Sequence, residues 1–169
     1  MATATDTQVQ EEQLVVFELG HEVYGVDISR VHEIIRLAQI TRVPRAPDFV
    51  EGVINLRGRV IPVIDLKKRF GLSTDSHSKT SRIVVVDVDD NTIGMIVDGV
   101  SEVLRLPVGA VEPPSPLVVT VDSDYVRGIA KLEERLIILL DLDKILSRQQ
   151  RSRLDEFAND AGEQTGSVA

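Results

Sequence analysis

Two stretches of this sequence occur twice. Residues 49–70 and 125–146 align without a gap at an offset of 76, and identical pairs include Gly52 with Gly128 and Asp65 with Asp141. Upstream, residues 17–37 align with residues 86–106 at an offset of 69, so both blocks recur in the same order. A single repeat of about 60 to 70 residues would be only marginally stable alone, because so small a domain buries little of its surface. The repetition therefore predicts two copies of one small fold around a shared core.

Short β-strands dominate each copy. In Val53–Leu66, two runs rich in valine and isoleucine flank a polar tip that contains Gly58, a pattern that predicts a β-hairpin with a tight turn. Hydrophobic residues make up 43% of the chain and aromatic residues only 4%, which favours strands packed by β-branched side chains. Many short strands joined by glycine and proline turns indicate a mainly β fold of small barrels.

The expected organisation follows from these blocks. We predict a disordered N-terminal tail over residues 1–12, a first barrel over about 13–70 and a second over about 80–146, with exchange of strands between the barrels left open. The apolar residues of Ile28–Leu37 fall at helical spacing, so this segment is predicted as a short helix. A C-terminal helix is predicted over Asp143–Phe157. Beyond the second barrel, residues 147–169 are predicted to contain the C-terminal helix and a frayed tail.

Composition excludes several functional classes. The net charge of −8 argues against broad nucleic-acid binding. The chain contains no cysteine, which rules out disulfides and thiolate sites and fits a reducing compartment. No apolar run approaches the length of a membrane span, so we expect no direct membrane insertion.

Residues with catalytic potential show no productive spacing. The histidines His21, His32 and His77 lack partners at metal-ligand spacing, and no nucleophile elbow is present. We therefore predict no enzymatic activity, no catalytic residue, no metal site and no cofactor. Two alternatives stay open: an enzyme with an unrecognised site, and an SH3-like RNA-binding protein, which the acidic charge and sparse aromatic residues disfavour.

Differences between the repeats separate function from fold. Arg57 and Gly58 at the first hairpin tip align with Glu133 and Glu134 at the second, so the fold itself does not require Arg57. Residues 38–70 carry a net charge of +4, whereas residues 107–146 carry −3. We infer a binding surface, for which the candidates are Arg57, the predicted helical segment Val31–Arg36 with Glu33, and the longer loop Glu112–Val118.

Several motifs together resemble a known family. The run Asn55-Leu56-Arg57-Gly58 within Gly52–Leu66, preceded by Tyr24–Ile28 and followed by Gly94–Val100, closely resembles the bacterial chemotaxis coupling protein family, CheW. The resemblance covers about residues 13–146. It implies two five-stranded SH3-like barrels around a common hydrophobic core, with short helices.

The resemblance also implies a function. Members are cytoplasmic, non-enzymatic adaptors that couple methyl-accepting chemoreceptors to the histidine kinase CheA and help to build receptor–kinase arrays at the membrane. Implied partners are the receptors' cytoplasmic tips, the kinase's regulatory domain and other copies of the adaptor in rings. By motif match, the implied receptor-binding residues are Val31, Glu33, Gly52, Arg57 and Val103. The implied kinase-binding residues are Glu112, Leu117 and Val118.

Overall fold

The computed structural model describes residues 10–72, 78–88, 90–114 and 123–146. Its strands are β1 (Glu11–Leu19), β2 (Glu22–Asp27), β3 (Val31–Arg36), β4 (Val50–Leu56), β5 (Arg59–Asp65), β6 (Arg82–Val88), β7 (Asn91–Val97), β8 (Gly99–Pro107), β9 (Val111–Glu112), β10 (Val126–Leu132) and β11 (Arg135–Leu140). Two short helices, α1 (Leu66–Arg69) and α2 (Leu142–Ile145), follow β5 and β11. Three 3-10 turns span Ile28–Arg30, Val108–Ala110 and Ser123–Tyr125.

The strands form two sheets. One has six strands in the order β8-β1-β2-β11-β10-β9, and the other has five in the order β3-β6-β7-β5-β4. The mainly β fold with two small SH3-like barrels and few helices agrees with the expectation, although the two-residue strand β9 brings one sheet to six strands.

Each sheet takes strands from both repeats. β1 and β2 of the first repeat join β8 to β11 of the second, while β6 and β7 of the second repeat join β3, β4 and β5. The link is extensive, because β1 pairs with β8 from Glu11 opposite Pro107 to Glu18 opposite Gly99. The barrels therefore do not correspond to the contiguous segments 13–70 and 80–146.

The buried apolar side chains of the described residues form three clusters. Strand β1 is buried on both faces: Leu14 and Val16 face the interior of the six-stranded barrel, whereas Val15 and Phe17 face a larger cluster between the barrels. A strand covered on both sides needs an unbroken apolar run instead of alternation, which accounts for the sequence Leu-Val-Val-Phe. The interior of the five-stranded barrel holds the third cluster: Ile54, Ile61, Val63, Ile83, Val85 and Ile96.

The predicted helix over Ile28–Leu37 is wrong. Only Ile28–Arg30 forms a helical turn, capped by the Asp27 carboxylate, which accepts a hydrogen bond from the Ser29 amide at 2.9 Å. Val31–Arg36 is strand β3, which pairs antiparallel with β6, and Leu37 follows the strand. The apolar spacing looked helical because a 3-10 turn and a register shift between Val31 and Glu33 interrupt the two-residue period.

The ends of the fold also differ from expectation. β1 begins at Glu11, so the ordered fold starts within the predicted tail of residues 1–12. α2 ends at Ile145, and most of the predicted C-terminal helix Asp143–Phe157 lies outside the described residues, as do residues 147–169.

Candidate functional site

Glu33 lies at the mouth of the five-stranded barrel. It pairs across β3 and β6 with Val85, a residue of the barrel interior. Residues directly opposite each other in a ladder share one face of the sheet. The Glu33 side chain therefore points toward the barrel axis, and its side chain is only 19% exposed.

Arg57 occupies the turn between β4 and β5. Arg57 has φ 53° and Gly58 has φ 86°. Two consecutive positive φ values define the tight hairpin turn that matches the twist of the flanking strands. The side-chain oxygen Oδ1 of Asn55 accepts a hydrogen bond from the Gly58 amide at 2.9 Å, which stabilises the turn. The Arg57 side chain is 77% exposed.

The fold brings these two candidates together. Arg57 Nη1 donates to Glu33 Oε2 at 2.8 Å, and Nη2 donates to Oε1 at 3.1 Å. Such a bidentate pair fixes the plane of the guanidinium as well as its position. Because β3 and β4 are the two edges of the five-stranded sheet, the ion pair also shows that the sheet curls until its edges approach.

In the second repeat, a different arginine pairs with the equivalent glutamate. Glu102, the repeat equivalent of Glu33, lies opposite Val16 and faces the interior of the six-stranded barrel. Its Oε1 lies 2.8 Å from Nη1 of Arg135. The equivalent of Arg135 in the first repeat is Arg59, which donates instead to the Thr92 hydroxyl at 3.3 Å. An acidic residue at each barrel mouth is thus part of the fold, whereas its pairing with an exposed turn arginine belongs to the first repeat.

Gly52 supports the site through the backbone. It is buried, with φ 146°, and a Cβ at this position would lie 2.1 Å from the Thr41 carbonyl oxygen. Thr41 and Val53 exchange backbone hydrogen bonds of 2.8 Å, which tie the segment after β3 to strand β4. A side chain at Gly52 would therefore push this segment away from the sheet.

Apolar candidates lie on the faces that line the space between the barrels. Val31 is half-buried and packs against the central cluster. Val103 lies on β8 of the other sheet, opposite the buried Val15, yet is itself 53% exposed. Ile34 lies within the candidate segment Val31–Arg36 but was not named as a binding residue. It lies opposite the buried Val84, is 38% exposed, and aligns with Val103 at the repeat offset of 69, which was the signal available in the sequence.

The kinase-binding candidates are only partly within the described chain. Glu112 is exposed in β9, pairs with β10, and its Oε2 accepts from Lys131 Nζ at 3.0 Å. Leu117 and Val118 lie outside the described residues. Within residues 10–72, 78–88, 90–114 and 123–146, no group of three His, Asp or Glu side chains is arranged to hold a metal ion. In the same residues, no helix has the length and hydrophobicity needed to cross a bilayer.

Comparison with known proteins agrees with this fold. The CheW-like domain family matches residues 13–150. The chemotaxis protein CheW of Klebsiella aerogenes is 37% identical over 147 residues, covering 87% of this chain and 89% of that protein. The chemotaxis protein CheW of Thermotoga maritima is 38% identical over 150 residues, covering 86% and 94%.

A solved structure supports the same assignment. The scaffolding protein TtCheW of Thermoanaerobacter tengcongensis superposes with a TM-score of 0.78 at 45% identity, covering 83% of this chain and 96% of that structure. The double-barrel fold is thus one that this chain shares with a scaffolding protein. The chain belongs to the CheW-like domain family.

Proposed function

We propose that this protein is a non-enzymatic adaptor of bacterial chemotaxis that couples methyl-accepting chemoreceptors to the histidine kinase CheA and helps to build receptor–kinase arrays. Family membership supports this proposal, because relatives carry the names chemotaxis protein and scaffolding protein. A cytoplasmic location with recruitment to membrane receptors belongs to the proposal, as does contact with further copies of the adaptor in rings.

The observation that carries the receptor side is the Glu33–Arg57 ion pair. It presents a guanidinium that is 77% exposed and already oriented by two hydrogen bonds. Ile34, on the same strand as Glu33, adds exposed apolar surface on the opposite face of that strand. Because β3 is an edge strand, a receptor helix that crosses this edge would meet both Arg57 and Ile34. A helix that carries carboxylates and apolar side chains suits these two contacts, because arginine pairs bidentately with carboxylates and apolar residues supply buried area.

The kinase side is proposed for the second repeat, at Glu112, Leu117 and Val118. Its support is the asymmetry of the two copies, since residues 107–146 carry a net charge of −3 where residues 38–70 carry +4. Two like folds with unlike surfaces can bind two different partners at once. Arrangement of complementary charges favours correct partners and suppresses wrong ones.

Co-sedimentation tests the proposal directly. Membranes that contain chemoreceptors are mixed with this protein, with the kinase, or with both, and the pellets are compared with those from receptor-free membranes. We expect this protein to pellet with receptors alone, and the kinase to pellet efficiently only when this protein is present. Equal recovery of the kinase without this protein would contradict the adaptor role.

A further inference from the structure

The Arg69 side chain contacts residues of both repeats. Its Nε donates to the Ile145 carbonyl oxygen at 2.7 Å. Its guanidinium carbon lies 4.8 Å from the ring centroid of Phe49 and 5.1 Å from that of Tyr125. A cation held over two aromatic faces gains electrostatic attraction from both rings. Phe49 and Arg69 belong to the first repeat, whereas Tyr125 and Ile145 belong to the second.

The partners of Arg69 are related by the duplication. The offset of 76 aligns Phe49 with Tyr125, and it aligns Arg69 with Ile145, the residue it contacts. Two equivalent positions approach each other only near the axis that relates the repeats. Arg69 therefore lies close to the pseudo-twofold axis of the molecule.

The local backbone obeys the same symmetry. The Asp65 amide donates to the Phe49 carbonyl at 2.8 Å, and the Asp141 amide donates to the Tyr125 carbonyl at 2.8 Å. Each aspartate also caps its helix through a side-chain oxygen. The symmetry is broken at Arg69 itself. The Arg69 side chain fills the space at the axis, whereas the equivalent residue of the second repeat, Ile145, is buried and apolar. A second arginine there would place two like charges in contact.

We propose that Arg69 is a positioning residue, which fixes the orientation of the two barrels across the pseudo-twofold axis and thereby the geometry in which the adaptor holds its two partners. The second half of this statement rests on the proposed function. The neighbouring residue provides a matched control: Lys68 Nζ lies 2.6 Å from Glu51 Oε1 in β4, so its ion pair stays within the five-stranded barrel.

Orientation is measured first, by electron spin resonance distance measurement. The chain has no native cysteine, so spin labels are introduced through Arg36→Cys on β3 and Ser101→Cys on β8, both exposed positions on different sheets. We expect Arg69→Ala to broaden or shift the distance distribution and Lys68→Ala to leave it unchanged. Tyr125→Phe, which keeps the ring, should match the parent, whereas Tyr125→Leu should behave as Arg69→Ala. If Arg69→Ala does not fold, the distance distributions of Arg69→Lys and Tyr125→Leu are compared with that of the parent protein instead.

Partner binding is measured second. The Kd values for a receptor signalling fragment and for the kinase regulatory domain, each alone, should stay within twofold in Arg69→Ala, while assembly of the three-component complex falls tenfold or more. An unchanged distance distribution, or equal broadening in Lys68→Ala, would overturn the proposal. Loss of either single affinity by more than fivefold would make Arg69 a contact instead of a positioning residue. If the parent protein binds neither partner, the proposed function fails, and the distance measurement still decides the role of Arg69.

Discussion

Arg57 and Glu33 form a bidentate ion pair, with Nη1–Oε2 and Nη2–Oε1 distances of 2.8 and 3.1 Å, across the mouth of the five-stranded barrel. The two residues are far apart in the sequence and lie on the β4–β5 turn and on β3. The pair closes the barrel and also presents charge to solvent. Stability and partner binding can therefore be separated by mutation at this position.

Replacing Arg57 with glutamate should reduce receptor binding tenfold or more. The change removes a charge-assisted pair and adds repulsion toward acidic receptor side chains, and together these exceed the roughly 1.4 kcal/mol that a tenfold change represents. The free energy of unfolding should fall by less than about 1 kcal/mol, because the Arg57 end of the pair is 77% exposed and is therefore screened by solvent. Receptor co-sedimentation and a thermal melt measure both effects. Glu133→Arg, at the equivalent turn of the second repeat, is the control and should alter neither.

Exchanging the charges of Glu33 and Arg57 separates the effect of the ion pair on the stability of the barrel from its effect on receptor binding. In the double variant Glu33→Arg, Arg57→Glu, an ion pair can form again with reversed polarity, so stability should recover relative to either single variant. Receptor binding should not recover, since the exposed charge at the turn remains negative. A double-mutant cycle of melting curves and binding isotherms gives the coupling energy for each property. Recovery of receptor binding in the double variant would show that the pair acts only within this protein.

Alanine at Gly52 or Gly128 should destabilise the fold by about 1–3 kcal/mol. A Cβ at Gly52 meets the Thr41 carbonyl oxygen at 2.1 Å, and at Gly128 it meets Val111 Cγ1 at 2.7 Å and the Glu112 carbonyl oxygen at 2.9 Å. Chemical denaturation measures the loss. Gly109→Ala is the control, because among the described residues no atom lies within 4 Å of a Cβ there. A Gly52→Ala variant as stable as Gly109→Ala would show that the segment after β3 yields without cost.

Leu117→Asp should weaken kinase binding and spare receptor binding. An aspartate buried in a contact would cost on the order of 2 kcal/mol or more, because a desolvated charge without a partner is unfavourable. Isothermal titration with the kinase regulatory domain, beside receptor co-sedimentation, measures the two affinities. Equal loss of both, in a variant with a normal melting curve, would argue that the two partners share one surface.

The sequence by itself determined the features that depend on neighbours along the chain. Two runs rich in valine and isoleucine around a polar tip with Gly58 were enough to predict the central hairpin, which the structure shows as β4 and β5. The offsets of the duplicated blocks predicted two like halves, and matching backbone hydrogen bonds at Asp65 and Asp141 confirm them. These features follow from turn geometry and from the period of side chains in a strand, which short segments already contain.

Only the tertiary structure decided which strands pair at long range. β1 lies beside β8 of the other repeat, and Val31–Arg36 is a strand because β6 offers it a paired edge. The tertiary structure also decided the contact between Arg57 and Glu33 and the position of Arg69 near the pseudo-twofold axis. A segment's own sequence favours a local conformation only weakly, whereas burial on two faces and a complete hydrogen-bond ladder are supplied by residues distant in the chain. The meeting of distant side chains is therefore a property of the assembled fold.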